Sequence, residues 1–119
     1  MDISINVPKR LADEWIKENK TAVKNKLELL YRIPYCPKNV KRGDRCYVII
    51  NKKIVGYHII KNVAWINGFI CEVTNKKWPT GYYLIRKAET WVELKEPIKT
   101  NPHRGFRYLD KQTKKRLEM

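Results

Sequence analysis

The sequence has no apolar run close to the roughly 20 residues that a membrane-spanning helix needs. Its N-terminus also lacks the basic and then apolar pattern of a secretory signal peptide. Cysteine is scarce, with three residues and no C-x-x-C pair, and an odd count without a secretion signal favours reduced thiols. We therefore expect a cytoplasmic protein that makes no membrane contact.

Motifs that carry well-known chemistry are missing as well. There is no G-x-S-x-G, H-E-x-x-H or P-loop. Cys36, Cys46 and Cys71 could hold zinc only with His58 or His103 as a fourth ligand, at spacings unlike those of common zinc fingers. We predict no metal and no cofactor, and we expect Cys46 and Cys71, which fall in strand patterns, to be small core residues.

Acidic residues are few relative to basic ones. Lys and Arg number 26 against 12 Asp and Glu, which gives a formal charge of +14. Such an excess attracts polyanions, of which nucleic acid is the commonest. The alternative is a Lys-rich soluble protein whose charge reflects its proteome, since Ile and Asn are abundant too. At 119 residues and 43% apolar content, we expect one domain over residues 1–110 and a basic tail over 111–119.

Residues 40–61 are predicted to form the central β-hairpin. Apolar residues occupy both alternating sets of the first strand, which indicates that both of its faces are covered. Asn51, Lys52 and Lys53 have the length of a hairpin connection. Gly56, within the second strand, indicates a bulge or a sharp coil that helps a small sheet to close.

The remaining pattern predicts an amphipathic helix over residues 8–19, anchored by Trp15, and several short strands. Residues 21–26 fit either a loop or a further helical turn. The other predicted strands cover residues 2–7, 27–33, 63–66, 69–73, 82–85 and 91–94, with Arg86 and Lys87 between the last two. The expected fold is α+β, a small mixed barrel of five or six strands with one or two helices.

The chain has a helix followed by a charged strand, then the stretches VKRGDRCYVII, IVGYHII and GYYLI and a closing P-x-x-x-F-x-Y-L. In this order they resemble the PUA-like superfamily, and its ASCH branch in particular. The branch carries G-x-K-x-x-E-x-R after its first helix. Here KNKLELLYR takes that place, so Lys26 or Lys24, Glu28 and Arg32 correspond to the cluster, with altered spacing and without the glycine.

This resemblance implies a domain that binds RNA or a modified base, with ASCH-type hydrolysis of RNA or of a modified nucleoside as the alternative. For catalysis, Lys26 and Glu28 are weak candidates, and an amidohydrolase arrangement could also draw on Thr21, Lys24 or Glu72. A two-histidine nuclease would need both histidines. A protein-binding or inhibitory module is a third possibility that no residue selects.

For binding, we expect a monomer that contacts RNA through a cationic surface and a small pocket. Glu28 and Arg32 share one face of a strand, opposite the apolar set, and with Tyr35 they are predicted to line the pocket. Trp78, in the loop NKKWPTG, could stack on a base or pack in the core. The residues predicted to bind nucleic acid are Arg32, Arg42, Arg45, Trp78, Arg86, Lys87, Arg104 and Arg107.

Overall fold

The structure, a computed structural model, describes residues 1–70 and 75–118 and shows an α+β fold. A 3₁₀ turn at Lys9–Leu11 precedes the first helix. The elements are β1 (Ile3–Val7), α1 (Ala12–Lys24), β2 (Glu28–Ile33), β3 (Arg45–Ile50), β4 (Lys53–Ile66), β5 (Phe69–Ile70), β6 (Lys77–Trp78), β7 (Gly81–Lys99), β8 (Phe106–Tyr108) and α2 (Lys111–Leu117).

Six strands form one curled sheet in the order β2-β7-β4-β3-β1-β8, and β5 pairs with β6 in a separate hairpin. Only β1 and β3 run parallel among these pairs. The sheet is a half-barrel that stays open, so the α+β class and the strand number are confirmed and full closure is not. Its free edges, β2 and β8, approach each other where the Tyr31 hydroxyl donates to the Gly105 carbonyl across 3.4 Å.

The central hairpin has the predicted form. Every residue from Cys46 to Ile50 is buried, so both faces of β3 are covered. Asn51 and Lys52 have φ values of 51° and 62°, which a type I′ hairpin turn requires at both central residues. Gly56 lies at a shift in the register between β4 and β7, as predicted for a bulge. A Cβ atom there would lie 2.5 Å from the ring of Trp91.

Strands β4 and β7 are longer than predicted, with 14 and 19 residues. The predicted break at Arg86 and Lys87 is wrong, because both residues pair with β2 in the middle of β7. Register shifts at three places along the β4–β7 pair let the two strands bend without ending. Of the strand predicted over residues 69–73, the first two residues are confirmed and the others lie outside the described residues.

Helix α1 begins at Ala12, after the 3₁₀ turn, and ends at Lys24, so it is shifted from the predicted range of residues 8–19. It includes residues 21–24 of the stretch that fits either a loop or a further helical turn. It packs on β7 and β2 and buries Ala12, Asn19 and Ala22. The Trp15 ring lies 5.6 Å from the ring of Trp91, which agrees with its predicted role as the anchor of the helix. The helix therefore covers the inner face of the half-barrel beside edge strand β2.

The basic segment after residue 110 contains a short helix. The Asp110 carboxylate accepts a hydrogen bond from the Thr113 backbone N–H at 2.7 Å and so caps α2. Leu117 packs against the cluster of Tyr47, Ile49 and Ile54 on the outer side of the sheet. In residues 1–70 and 75–118, neither helix has the length and apolar character to cross a bilayer.

Candidate ligand pocket

A pocket of about 190 Å³ lies in the gap of the open half-barrel, between the end of β1 and edge strand β2. We call it the seam pocket. Asn6 and Val7 line it from β1, α1 closes one side, and residues 29–31 of β2 form the opposite wall. Its other lining residues are Pro8, Leu11, Glu14, Trp15, Glu18, Lys76, Trp78 and Arg86. Segments distant in the sequence thus build one cavity.

Arg86 lies at the inner end of this pocket. In the sheet, Arg86 lies opposite Leu29 of β2 on one side and Ile60 of β4 on the other. Only 2% of its surface is exposed. One guanidinium nitrogen contacts His58 Nδ1 at 3.3 Å. Its Nε–H has no acceptor, and no carboxylate of the described residues forms an ion pair with it. Burial lowers the pKa of Arg86, the nearby Glu18 carboxyl opposes this shift, and a guanidinium keeps its charge, so the pocket contains a cation without an ion-pair partner among the described residues.

The groups behind Arg86 are neutral. Asn19 Oδ1 lies 2.8 Å from His58 Nε2 and can only accept, so Nε2 carries the proton and Nδ1 accepts from Arg86. Burial and the Arg86 charge lower the pKa of His58 to about 2. Burial raises the pKa of the Cys46 thiol to about 11. This layer therefore orients the guanidinium without cancelling its charge.

The walls and mouth add aromatic surface and further polar groups. Trp78 Nε1–H is buried with no acceptor among the described residues, while its ring stacks parallel to Phe69 at 6.1 Å. Glu18 is partly buried, and burial raises the pKa of its carboxyl although the Arg86 charge opposes the shift. Glu14 and Lys76 form an exposed ion pair at 3.0 Å. Tyr31 supplies a further ring, and burial raises the pKa of its hydroxyl.

This arrangement suits a planar polar ring. Two donors without partners, on Arg86 and Trp78, can bind a carbonyl oxygen or a ring nitrogen. The Glu18 carboxyl can accept a hydrogen bond from an N–H group. Tyr31 and Trp78 provide faces for contact, and the cavity has room for one ring system.

The residues predicted to form a pocket lie elsewhere on β2 or beyond its end. The Glu28 carboxylate pairs with Lys61 at 3.0 Å, and both side chains are well exposed. Arg32 lines a shallow groove at the other end of the strand. Tyr35 is 58% exposed and packs against Phe106, 5.2 Å between ring centroids. Glu28 and Arg32 do share the solvent face of β2, but neither lines the seam pocket.

Of the predicted cationic surface, five arginines are exposed: Arg32, Arg42, Arg45, Arg104 and Arg107. The guanidinium of Arg45 lies over the Tyr57 ring at 4.4 Å. Lys87 is partly exposed, whereas Arg86 faces the interior and does not belong to this surface.

The described residues considered for catalysis lie on α1, just after it, on β2, on β4 and before β8. Lys26 is exposed, with a φ of 52°, just after α1. Thr21 donates to the Lys17 carbonyl within the helix, and Glu72 lies outside the described residues. His58 is held neutral in the core, while His103 contacts Ser4 at 2.8 Å. Within the part of the chain that the structure describes, no group of His, Cys, Asp and Glu could hold a metal ion.

Sequence reasoning placed Arg86 on the surface and did not consider Glu18. For each residue, the surrounding sequence contains a pattern that indicates its position in the fold. Arg86 alternates with Leu84 and Ala88, both fully buried, which is the pattern of a side chain that points inward. Glu18 lies three residues after Trp15 and four before Ala22, on the packed face of the helix.

Comparison with known proteins adds no relative. No protein-family model, curated protein or solved structure matches this chain.

Proposed function

We propose that this chain is a nucleic-acid-binding domain that takes one base of single-stranded RNA into the seam pocket, in the manner expected of a PUA-like, ASCH-type domain. The observation that carries the proposal is the buried Arg86 cation, which has neither an acceptor for its Nε–H nor a paired carboxylate among the described residues. Leaving such a charge desolvated costs several kcal/mol, roughly. A ligand acceptor at this position offsets that cost.

A nucleobase has the groups that the pocket complements. Its edge carries carbonyl oxygens and ring nitrogens, which accept hydrogen bonds, next to N–H groups, which donate them. Arg86 and Trp78 supply the donors, and Glu18 supplies the acceptor. The flat faces of the base would contact Tyr31 and Trp78. Proteins that read an unstacked base commonly hold it in such a closed pocket, with hydrogen bonds to its edge.

The charge of the whole chain favours a polyanionic ligand over a free neutral base. The net charge is +14, and five of the predicted RNA-binding arginines are exposed. Guanidinium groups bind phosphate with paired hydrogen bonds. If they neutralise phosphates, log Kd should change with log salt by roughly 0.7 per phosphate on a single strand.

The test is a salt-titrated binding assay of Arg86→Met with fluorescent single-stranded RNA. Loss of one charge-assisted contact should weaken binding about 10- to 150-fold. The slope of log Kd against log salt should stay the same, because the substitution removes no phosphate contact. Glu28→Gln is the matched control, since Glu28 is exposed and lies outside the pocket. If Arg86→Met binds like the control, or if the wild type binds no RNA at low salt, the proposal fails.

Hydrolysis of RNA or of a modified nucleoside is the second candidate, and Glu18 is the observation that favours it. A partly buried carboxyl with a raised pKa beside a pocket has the properties of a general acid or base. Chromatographic detection of products from RNA and from a panel of modified nucleosides would test this. Activity that survives in Glu18→Gln would remove Glu18 from the mechanism.

A further inference from the structure

A second surface feature lies beside the seam pocket. A shallow groove of about 590 Å³ runs over the ends of β2 and β7, with Arg32, Trp65 and Tyr82 among its lining residues. We call it the edge groove. Trp65 is 61% exposed, and its ring meets Tyr82 edge to face at 5.0 Å. An indole this exposed, supported from one side, is available to an external ring.

A free cation accompanies this aromatic pair. Arg32 is exposed, and no carboxylate of the described residues pairs with it. Gly81 leaves room for it, because a Cβ atom at that position would lie 3.0 Å from Arg32 Nε. An exposed aromatic face beside an unpaired guanidinium is the combination that binds a base together with its phosphate.

The groove and the seam pocket both take lining residues from the same pair of strands, β2 and β7. On β2, Leu29 lies opposite Arg86, which lines the pocket. Four residues further along β2, Ile33 lies opposite Tyr82, which lines the groove. Four residues of strand span roughly 13 Å. One short segment of nucleic acid can therefore reach both places.

We propose that the edge groove stacks a neighbouring nucleotide on Trp65 and holds its phosphate with Arg32, so that the ligand is a strand and not a free base or mononucleotide. This inference rests on the proposed function and names its ligand class as single-stranded RNA. The high positive charge of the chain favours that occupant over an uncharged apolar peptide.

The experiment compares two probes, ribonucleoside monophosphates and single-stranded RNA hexamers of the same base, by titration calorimetry. For the wild type, the hexamer should bind more tightly than the monophosphate. Trp65→Ala should weaken hexamer binding about 5- to 150-fold, the worth of one stacked base, and leave monophosphate binding unchanged. Trp65→Phe, which keeps an aromatic face, should retain most of the hexamer affinity.

The outcomes separate the inference from the proposed function. If Trp65→Ala leaves the hexamer affinity unchanged, or weakens both probes equally, the edge groove is not a stacking site. If the monophosphate binds in an Arg86-dependent way but the hexamer binds no better, only this inference fails. If neither probe binds the wild type at low salt, both fail. If circular dichroism shows that Trp65→Ala is not folded, Trp65→Leu is used in its place, because Leu keeps apolar volume but offers no aromatic face.

Discussion

Replacing Arg86 by Met should lower the stability of the protein only slightly, or raise it, although the residue is almost completely buried. Removal of the charge relieves a desolvation penalty of roughly several kcal/mol, which no ion pair in the described part of the chain offsets. The loss leaves His58 Nδ1 without its donor, at a cost of about 1–3 kcal/mol. We expect the free energy of unfolding to fall by no more than about 1 kcal/mol, whereas removing one partner of a buried ion pair costs about 3–5 kcal/mol.

Urea unfolding at pH 7, followed by circular dichroism, measures this difference. Arg86→Lys is the matched control, because it keeps a buried charge at the same position but cannot reproduce the planar donor set. Arg86→Met should be more stable than Arg86→Lys. A loss of 3 kcal/mol or more in Arg86→Met, roughly the cost of breaking a buried pair, or a lower stability than that of Arg86→Lys, would show that Arg86 is a structural residue. The reasoning for the seam pocket would then be refuted.

Three further predictions follow from the described contacts. Between pH 7 and pH 5 the wild type should lose about 2 kcal/mol more stability than His58→Gln, and equal losses would contradict this. The reason is that the His58 imidazole has a pKa of about 2 in the folded protein and 6.5 in the unfolded chain, so in this pH range it binds a proton only on unfolding. Gly56→Ala should cost about 1–3 kcal/mol in urea unfolding, since its Cβ would overlap the Trp91 ring, and a neutral substitution would mean that the strands relax freely. Iodoacetamide at pH 8 should label exposed Cys36 and spare buried Cys46, whose thiol has a pKa of about 11, and peptide mass spectrometry would reveal any labelling of Cys46.

Local patterns predicted the framework of the fold because each depends on neighbours in the sequence. Alternating apolar residues identified β1, β2 and β3, and the burial of both faces of β3 followed from two apolar sets in one strand. Gly56 correctly indicated a bulge. Strand β7 was predicted as two pieces, because a polar Arg86-Lys87 pair within it resembles a turn. Only the pairing of Arg86 with Leu29 and Ile60 shows that the strand continues.

The site was harder to predict, because its parts come from segments that meet only in the folded chain. Glu28 and Arg32 were correctly placed on one face of β2, but that face is open to solvent, and the cavity lies at the strand edge instead. Arg86 was predicted to lie on an external surface, and Trp78 either to stack on a base or to pack in the core, whereas both line the seam pocket. The gap between β1 and β2 depends on how far the sheet curls, which no single stretch of sequence specifies.

The most direct test of the seam pocket is an NMR titration of the arginine Nε–H groups with a single-stranded RNA hexamer, using Arg86→Met to assign the Arg86 signal. In the free protein this N–H has no acceptor within residues 1–70 and 75–118. If a base occupies the pocket, the Arg86 signal should move downfield and exchange more slowly with solvent as RNA is added, because the N–H gains a hydrogen bond. If the signals of exposed arginines move and that of Arg86 stays unchanged at saturation, RNA binds only the surface, and the central claim is contradicted.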